Sequence, residues 1–374
     1  MKIVQGTYTT AQIMTDDVEQ YAIAQVKALC DNPVFKDSKV VCMPDIHPGK
    51  VTPIGFTAIL NNYPVNGIMP SLIGNDIGCG ILAIKLEETR FESQKLDRII
   101  RENIPSGFSH RLDTKLYNKY VGELYLYCKD CICHNYNCIS SFGTLGGGNH
   151  FIEIDKDPDD DSLWLIIHSG SRGFGSVVNK YYLDKAHELN PEIPYELGVL
   201  HSDLADMYFN DYYDLSDLAD SNRSAIADII CNKMKFHSSI ILDVPHNTID
   251  LISPSGMIIR KGAISARTGK DVVIPINSKD GVIIGKGKGN HDWNYSAPHG
   301  SGRIMNRTEV ANQHTLSEYK KEMNGIYSPS INKNTLDEAP FAYRSIDQIL
   351  PLIQDTVEVT KILKPVYNFK GGKE

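Results

Sequence analysis

Nowhere in these 374 residues do about 18 uncharged apolar residues run together, so no membrane-spanning helix is expected. The opening MKIVQGTYTTAQIM lacks a basic stretch followed by an apolar core and a small-residue cleavage site, and a cytoplasmic protein is expected. No low-complexity run, repeat of fixed period or Pro/Ser/Gly-rich linker marks a boundary, which favours one large domain over residues 1–374. Eight cysteines are too few for a disulfide scaffold in a chain this long, leaving thiols and metal ligation as the default reading. Basic charge is not in excess either. A net charge of -8 argues against indiscriminate nucleic-acid binding, though it allows a local basic groove on an acidic body.

What is present is the composition of a globular protein, 41% hydrophobic and 22% charged. Basic residues gather late in the chain, as Arg260, Lys261, Arg267, Lys270, Lys286, Lys288, Arg303 and Arg307, while carboxylates crowd DKDPDDD at 155–161. A solvated face explains such a cluster as well as a groove does. VVCM at 40–43 reads as a short strand ending at a Pro44-Asp45 turn. GILAIKL (80–86), HFIEI (150–154), SLWLIIH (162–168) and DVVIPI (271–276) read as strands beside Gly-, Asn- or Ser-rich turns. Helical spacing appears over Val18–Leu29, Ser93–Asn103, Val178–Leu189, Ser221–His237 and Ile346–Leu363. Strands and helices mix without a βαβ rhythm, which predicts an α+β fold.

Chemistry-bearing residues sit in the turns. GNDIGCG (74–80) sets Asp76 and Cys79 between glycines that let the backbone turn and aim both side chains at one point. A carboxylate and a thiolate can hold metal; a buried Cys beside a capping Asp is the competing account. GTLGGGNHF (143–151) places Asn149 and His150 after three glycines whose amides can approach a phosphate. LIIHSGSRG (165–173) repeats the design with His168 and Arg172. PHNTID (245–250) adds His246 and Asn247, and SAPHGSGR (296–303) adds His299 and Arg303. A core-satisfied histidine is the alternative for each taken singly. One Asp, one Cys and three His form a mixed hard and borderline set, suited to a Mn, Fe, Co or Zn pair rather than an all-oxygen Mg or Ca cage. A fourth His is then free to act as a nucleophile at phosphorus. CKDCICHNYNC (128–138) carries Cys128, Cys131, Cys133, Cys138 and His134 at spacing irregular for a zinc knuckle, leaving structural zinc and free thiols both open.

In order, MPDIHPGK (43–50), GNDIGCG, GTLGGGNHFIEI, HSGSRG, PHN, RKGAISAR, HGSGR, DEAPFAYR and the terminal FKGG (369–372) resemble the RtcB family of RNA ligases, over nearly the whole chain. The resemblance implies a mixed-sheet α+β domain around two manganese ions. Cys79 bridges the pair, with His168 and His246 completing one ion and Asp76 and His150 the other. It implies His299 as the nucleophile that carries GMP from GTP. Asn149 holds a phosphate, Phe151 and Glu153 frame the guanine, and Asn247, Tyr343 and Lys370 complete the nucleotide contacts. Arg172, Lys261 and Arg303 match the family's phosphate-steadying basic residues. The implied partner is RNA, with a 3'-phosphate or 2',3'-cyclic phosphate on one end and a 5'-hydroxyl on the other, as in broken transfer or ribosomal RNA; neither DNA nor a membrane is expected. One segment departs from the pattern: where the family carries an IPGSMG-type nucleotide loop, this chain reads IPINSKDG (274–281). Two other functions compete, a metal-dependent phosphoesterase that activates water and an RNA end-binding protein without catalysis.

Overall fold

Alternate side chains of GILAIKL point to opposite faces of a sheet, and both faces are apolar. In the computed structural model, which describes residues 1–61, 66–122, 124–128, 136–253 and 256–371, Ile81 and Ala83 enter one hydrophobic cluster and Leu82, Ile84 and Leu86 another. This strand, Gly80–Leu86, belongs to a seven-stranded sheet. The strand order is Asp271–Asn277, Gly281–Gly287, Val357–Lys370, Phe151–Lys156, Leu163–Ser169, Gly80–Leu86 and Ser238–Pro245. Every neighbouring pair in it is antiparallel. Helices Ser93–Asn103 and Ser202–Met234 cover one face through Leu96, Ile100, Ile226 and Ile230. The sheet curls so that Val272, Ile274 and Ile284 join Ile81, Ala83 and Trp164 in the core of the other face.

A second sheet of six strands runs Lys2–Gln5, Thr10–Ile13, Lys39–His47, Ile54–Asn61, Gly256–Lys261 and Asn247–Ser253. Its single parallel pairing joins Thr10–Ile13 to Lys39–His47. The two sheets meet where Ser238–Pro245 passes through His246 into Asn247–Ser253. A short ladder of Ala263–Ser265 with Ser296–Pro298 brings His299 to the same junction. Among the described residues no helix is long and apolar enough to cross a membrane.

The α+β reading holds, and two of the expected elements end differently from expectation. The first concerns Ile346–Leu363, expected as one helix. The helix ends at Ile353, two residues after Pro351, and Val357–Lys370 is a strand. Pro351 removes a helical donor, and the β-branched run VEVTKI beyond it favours an extended chain, with Pro365 placed at a bulge. The second concerns the expected turn at Pro44-Asp45. Strand Lys39–His47 continues through it and buries Asp45 completely. In the 128–138 cluster Cys128 and Cys138 are buried, and Cys131, Cys133 and His134 lie outside the described residues.

Candidate active site

Antiparallel register assembles the ligand set. Phe151 pairs with His168, Gly80 pairs with Ser169, and Gly80 also pairs with Pro245. Residues His150, His168, Cys79 and His246 therefore arrive side by side at one end of four adjacent strands. Gly74 and Gly78, both at positive φ, turn the preceding loop back on itself. Asp76 then reaches His150 Nε2 at 3.1 Å, while Cys79 Sγ lies 3.5 Å from that nitrogen and 3.3 Å from His168 Nε2. A Cβ on Gly170 would lie 2.1 Å from Asp76 Oδ1, so only glycine leaves room for this carboxylate.

The donor atoms are prepared for a metal. His150 Nδ1–H donates to the Leu145 carbonyl at 2.9 Å and His168 Nδ1–H to the Asn149 carbonyl at 3.2 Å, leaving each Nε2 with its lone pair. Burial, with neighbouring histidines, holds His168 and His246 far below the usual imidazole range, in the neutral form that ligates. Burial and the Asp76 carboxylate push the Cys79 thiol well up, so a thiolate here calls for a bound cation. His246 Nδ1 is buried without a hydrogen-bond partner among the described residues. Cys79, His150 and His168 alone present three donor atoms within 4.8 Å of one another. The residues fit a transition-metal centre.

His299 stands beside this cluster, its ring centroid 4.9 Å from that of His246. Its Nδ1–H donates to Asp45 Oδ2 at 2.7 Å, which points the lone pair of Nε2 away from the carboxylate. His47 lies stacked on the other side, 6.5 Å between centroids, and donates to the Asp45 carbonyl.

Two cavities share His299, Asn149 and Ile54 as a common wall. The first, about 260 Å³, is lined by Phe151, Glu153, His168, Arg303, Tyr343, Asn368 and Lys370. Pro275, Ile276, Asn277 and Ser278 of the divergent IPINSKDG segment line it too. Burial raises Glu153 to about 7, against the pull of the Asn368 amide at 2.6 Å and of Lys370. Lys370 Nζ lies 5.6 Å from the centre of the Phe151 ring and pairs with Glu338 at 3.2 Å. The second cavity, about 710 Å³, takes in Asp76, Cys79, His246, Asn247 and Lys261. Burial lowers Lys261 to about 8, its Nζ donating to Thr52 Oγ1 and the Ser71 carbonyl, each at 2.8 Å.

Not every expected residue faces these spaces. Asn247 lines the second cavity, away from the first, and its amide ties the Asp76 carbonyl at 2.8 Å to the Gly262 N–H at 2.9 Å. Arg172 lines neither cavity. It lies under the GTLGGG loop, bonded to Thr144 Oγ1, and a Cβ on Gly146 would collide with its guanidinium. Arg303 lies over the Tyr343 ring and donates to Glu338, Tyr343 and the Met305 and Asp337 carbonyls, so it builds the wall of the first cavity. The late basic cluster is dispersed: Arg260 is wholly buried against Asp250 and Ser296, and Lys286 pairs with Asp271.

Sequence reasoning missed Asp45, whose signal was a carboxylate inside an otherwise apolar strand. It also missed Glu338, which gathers Arg303, Arg307, Tyr343 and Lys370. Asn222 and Arg223, in the middle of helix Ser202–Met234, gave no signal at all. Arg223 donates to the carbonyls of Gly78 at 2.8 Å and Ser169 at 2.9 Å and pairs with Asp243 and Asp220. Asn222 accepts from the Gly143 N–H at 2.7 Å and donates to Ser169 Oγ at 3.1 Å and the Thr144 carbonyl at 3.3 Å. Two adjacent residues thus clamp the loops that precede Cys79, follow His168 and lead into His150.

The chain matches the family model described as tRNA-splicing ligase RtcB over residues 25–135 and 129–371. It is 29% identical over 382 residues to the RNA-splicing ligase RtcB of Escherichia coli strain K12, an alignment spanning 90% of this chain and 91% of that protein. With RNA-splicing ligase RtcB2 of Escherichia coli strain ATCC 25922 the identity is 31% over 405 residues, 97% of this chain and 96% of the relative. With the tRNA-splicing ligase RtcB of Aeropyrum pernix it is 27% over 398 residues, 83% and 82% of the two chains.

Proposed function

The chain belongs to the RtcB family, and from that premise we propose that it is an RNA ligase joining a 3'-phosphate or 2',3'-cyclic phosphate end to a 5'-hydroxyl end with GTP and manganese, acting in the cytoplasm. Residues 1–374 act as one catalytic unit, since both sheets send residues to the same junction. One observation carries the reading: an imidazole whose Nδ1 faces a buried carboxylate stands in the wall between a cavity of about 260 Å³ and a larger one beside the metal ligands.

A cyclic phosphate end is first hydrolysed to the 3'-phosphate. His299 Nε2 then bonds to the α-phosphorus of GTP while the bond to the pyrophosphate oxygen breaks. An oxygen of the RNA 3'-phosphate displaces His299 from that phosphorus, giving RNA with a terminal diphosphate-linked guanosine. The 5'-hydroxyl oxygen finally attacks the RNA phosphorus, loses its proton and expels GMP. Asp45 keeps the His299 proton on Nδ1 throughout, so that Nε2 stays a nucleophile and then a leaving group. Asn149 borders both cavities and can follow the phosphate through each transfer. Glu153 offers carboxylate oxygens to the N–H edge of guanine, with Phe151, Tyr343 and Lys370 enclosing the base. Asp76, Cys79, His150, His168 and His246 would hold two manganese ions, whose positive charge offsets that on the phosphoryl oxygens.

The test is incubation with α-labelled GTP and Mn²⁺, followed by a cleaved RNA stem-loop bearing the two ends. The ligase forms a covalent protein–GMP adduct, releases pyrophosphate and seals the RNA. A phosphoesterase would cleave the cyclic phosphate and stay unlabelled, and an RNA end-binding protein would do neither.

A further inference from the structure

The second cavity does not stop at the metal ligands. It shares Lys50, Val51 and Glu196 with a further surface cavity of about 430 Å³ that runs out to Tyr21 and Pro194. The loop at this junction is firmly held. The buried Gln25 side chain donates to the Gly49 carbonyl at 2.8 Å and the Val51 carbonyl at 3.1 Å, and accepts from the Gly49 N–H at 3.2 Å. Gly49 packs so closely on the Thr52 carbonyl that a Cβ would lie 2.0 Å from it.

The result is a backbone fixed on both sides of Lys50 while the Lys50 side chain is exposed, with no ion pair or side-chain hydrogen bond among the described residues. Lys180, in the same second cavity, is by contrast neutralised by Asp184 at 2.6 Å. At the outer end Tyr21 leaves 62% of its surface exposed, on helix Gln20–Cys30, which also supplies Gln25. An unpaired cation on a rigid loop, followed outward by an open aromatic face, suits a polyanion whose flat rings stack.

We propose that this passage is a subsite for single-stranded RNA leading to the reacting end, in which Lys50 neutralises a backbone phosphate and the Tyr21 ring stacks a base. The inference rests on the ligase reading, because it is the RNA end in the second cavity that brings the strand out past Lys50. Glu196 sets a carboxylate in the same passage and opposes the strand, so its neutralisation tightens binding.

The experiment measures the affinity of the full chain, with Mn²⁺ present, for single-stranded RNAs of two and six nucleotides. One series ends in a 3'-phosphate and the other begins with a 5'-hydroxyl, which identifies the strand that uses the passage. The six-nucleotide RNA should bind more tightly than the dinucleotide in one series. Tyr21→Ala should weaken the longer RNA about tenfold and leave the dinucleotide unchanged. Lys50→Ala should do the same and lower the salt slope by about 0.7, the share of one single-strand phosphate. Glu196→Gln should tighten the longer RNA. Equal affinity for long and short RNAs in both series, or length dependence kept intact by Lys50→Ala or Tyr21→Ala, overturns the subsite. Melting temperatures confirm folding, since all three side chains project from the surface. Guanylylation of the wild-type chain is scored separately: its absence would sink the ligase reading, whereas a length effect abolished by these variants would stand without it.

Discussion

At the scale of single residues, the proposed function separates the candidate metal ligands from His299, the proposed carrier of the nucleotide. His299→Ala should bind manganese as before yet form no acid-labile, alkali-stable GMP adduct, and it should still seal RNA whose 3' end already bears the guanosine cap. A guanylylated His299→Ala, or one unable to seal pre-activated RNA at full metal occupancy, would refute the assignment. Asp45→Asn should slow guanylylation on the order of 100-fold or more by losing the tautomer that frees Nε2. Sealing of pre-activated RNA should be spared, an outcome that general damage to the fold would not produce. Glu153 contributes a pH dependence. With its carboxyl raised to about 7 by burial, the acceptor form prevails above that pH and is lost below it, so the KM for GTP should rise as pH falls from 8 to 6. Glu153→Gln should flatten that profile. The places of His299 and Glu153 at one cavity were legible in the chain, because both lie in contiguous motifs. Asp45 was not, since a carboxylate beside a proline reads as a turn until a neighbouring segment supplies its partner.

Among elements, helix Ser202–Met234 does the most to shape the site without lining it. Only its second half was legible. The first half, YFNDYYDLSDLADS, carries many Asp, Asn and Ser residues, which compete with the backbone for hydrogen bonds. What holds it helical is burial of Tyr208, Tyr212, Leu215, Leu218 and Ala219, a tertiary effect that no local pattern announces. DSNRS at 220–224 looks like a solvated stretch, yet Asn222 and Arg223 are wholly buried. Arg223→Met should cost about 3–5 kcal/mol by stranding Asp243 and two carbonyls, read as a lowered denaturation midpoint. It should also broaden or abolish the thiolate-to-metal charge-transfer band of the Co²⁺-substituted protein, because the peptides flanking Cys79 and His168 lose their common tether. A normal Co²⁺ spectrum in a folded Arg223→Met would show the clamp to be structural only. Four strands, Gly80–Leu86, Phe151–Lys156, Leu163–Ser169 and Asp271–Asn277, were by contrast legible to within two residues, since apolar runs bounded by glycine have few other ways to be buried, whereas Gly281–Gly287 and Val357–Lys370 were not.

For the whole molecule, the candidate metal ligands sit where the two sheets meet, at His246 and its neighbours. Elemental analysis should find close to two divalent ions per chain, and chelation should lower the melting temperature because the ions bind only the folded ligand set. Cys79→Ala should abolish both guanylylation and ligation and reduce the bound metal, whereas one ion retained without Cys79 in a fully active protein would sink the dinuclear arrangement.

On the proposed mechanism, the common wall of the two cavities would also set an order of events. With the base in the smaller cavity and the α-phosphorus at His299, the β- and γ-phosphates of GTP extend into the space that the RNA end later takes. Occupancy there must alternate. Pyrophosphate should therefore inhibit ligation competitively with RNA, and RNA 3'-phosphate added ahead of GTP should delay adduct formation, whereas preincubation with GTP should yield a burst of sealed product equal to the enzyme present. On the proposed mechanism the resting form in a cell supplied with GTP would then be the charged one: the protein would wait with GMP already mounted, and the encounter with a broken strand, rather than the arrival of nucleotide, would start each repair.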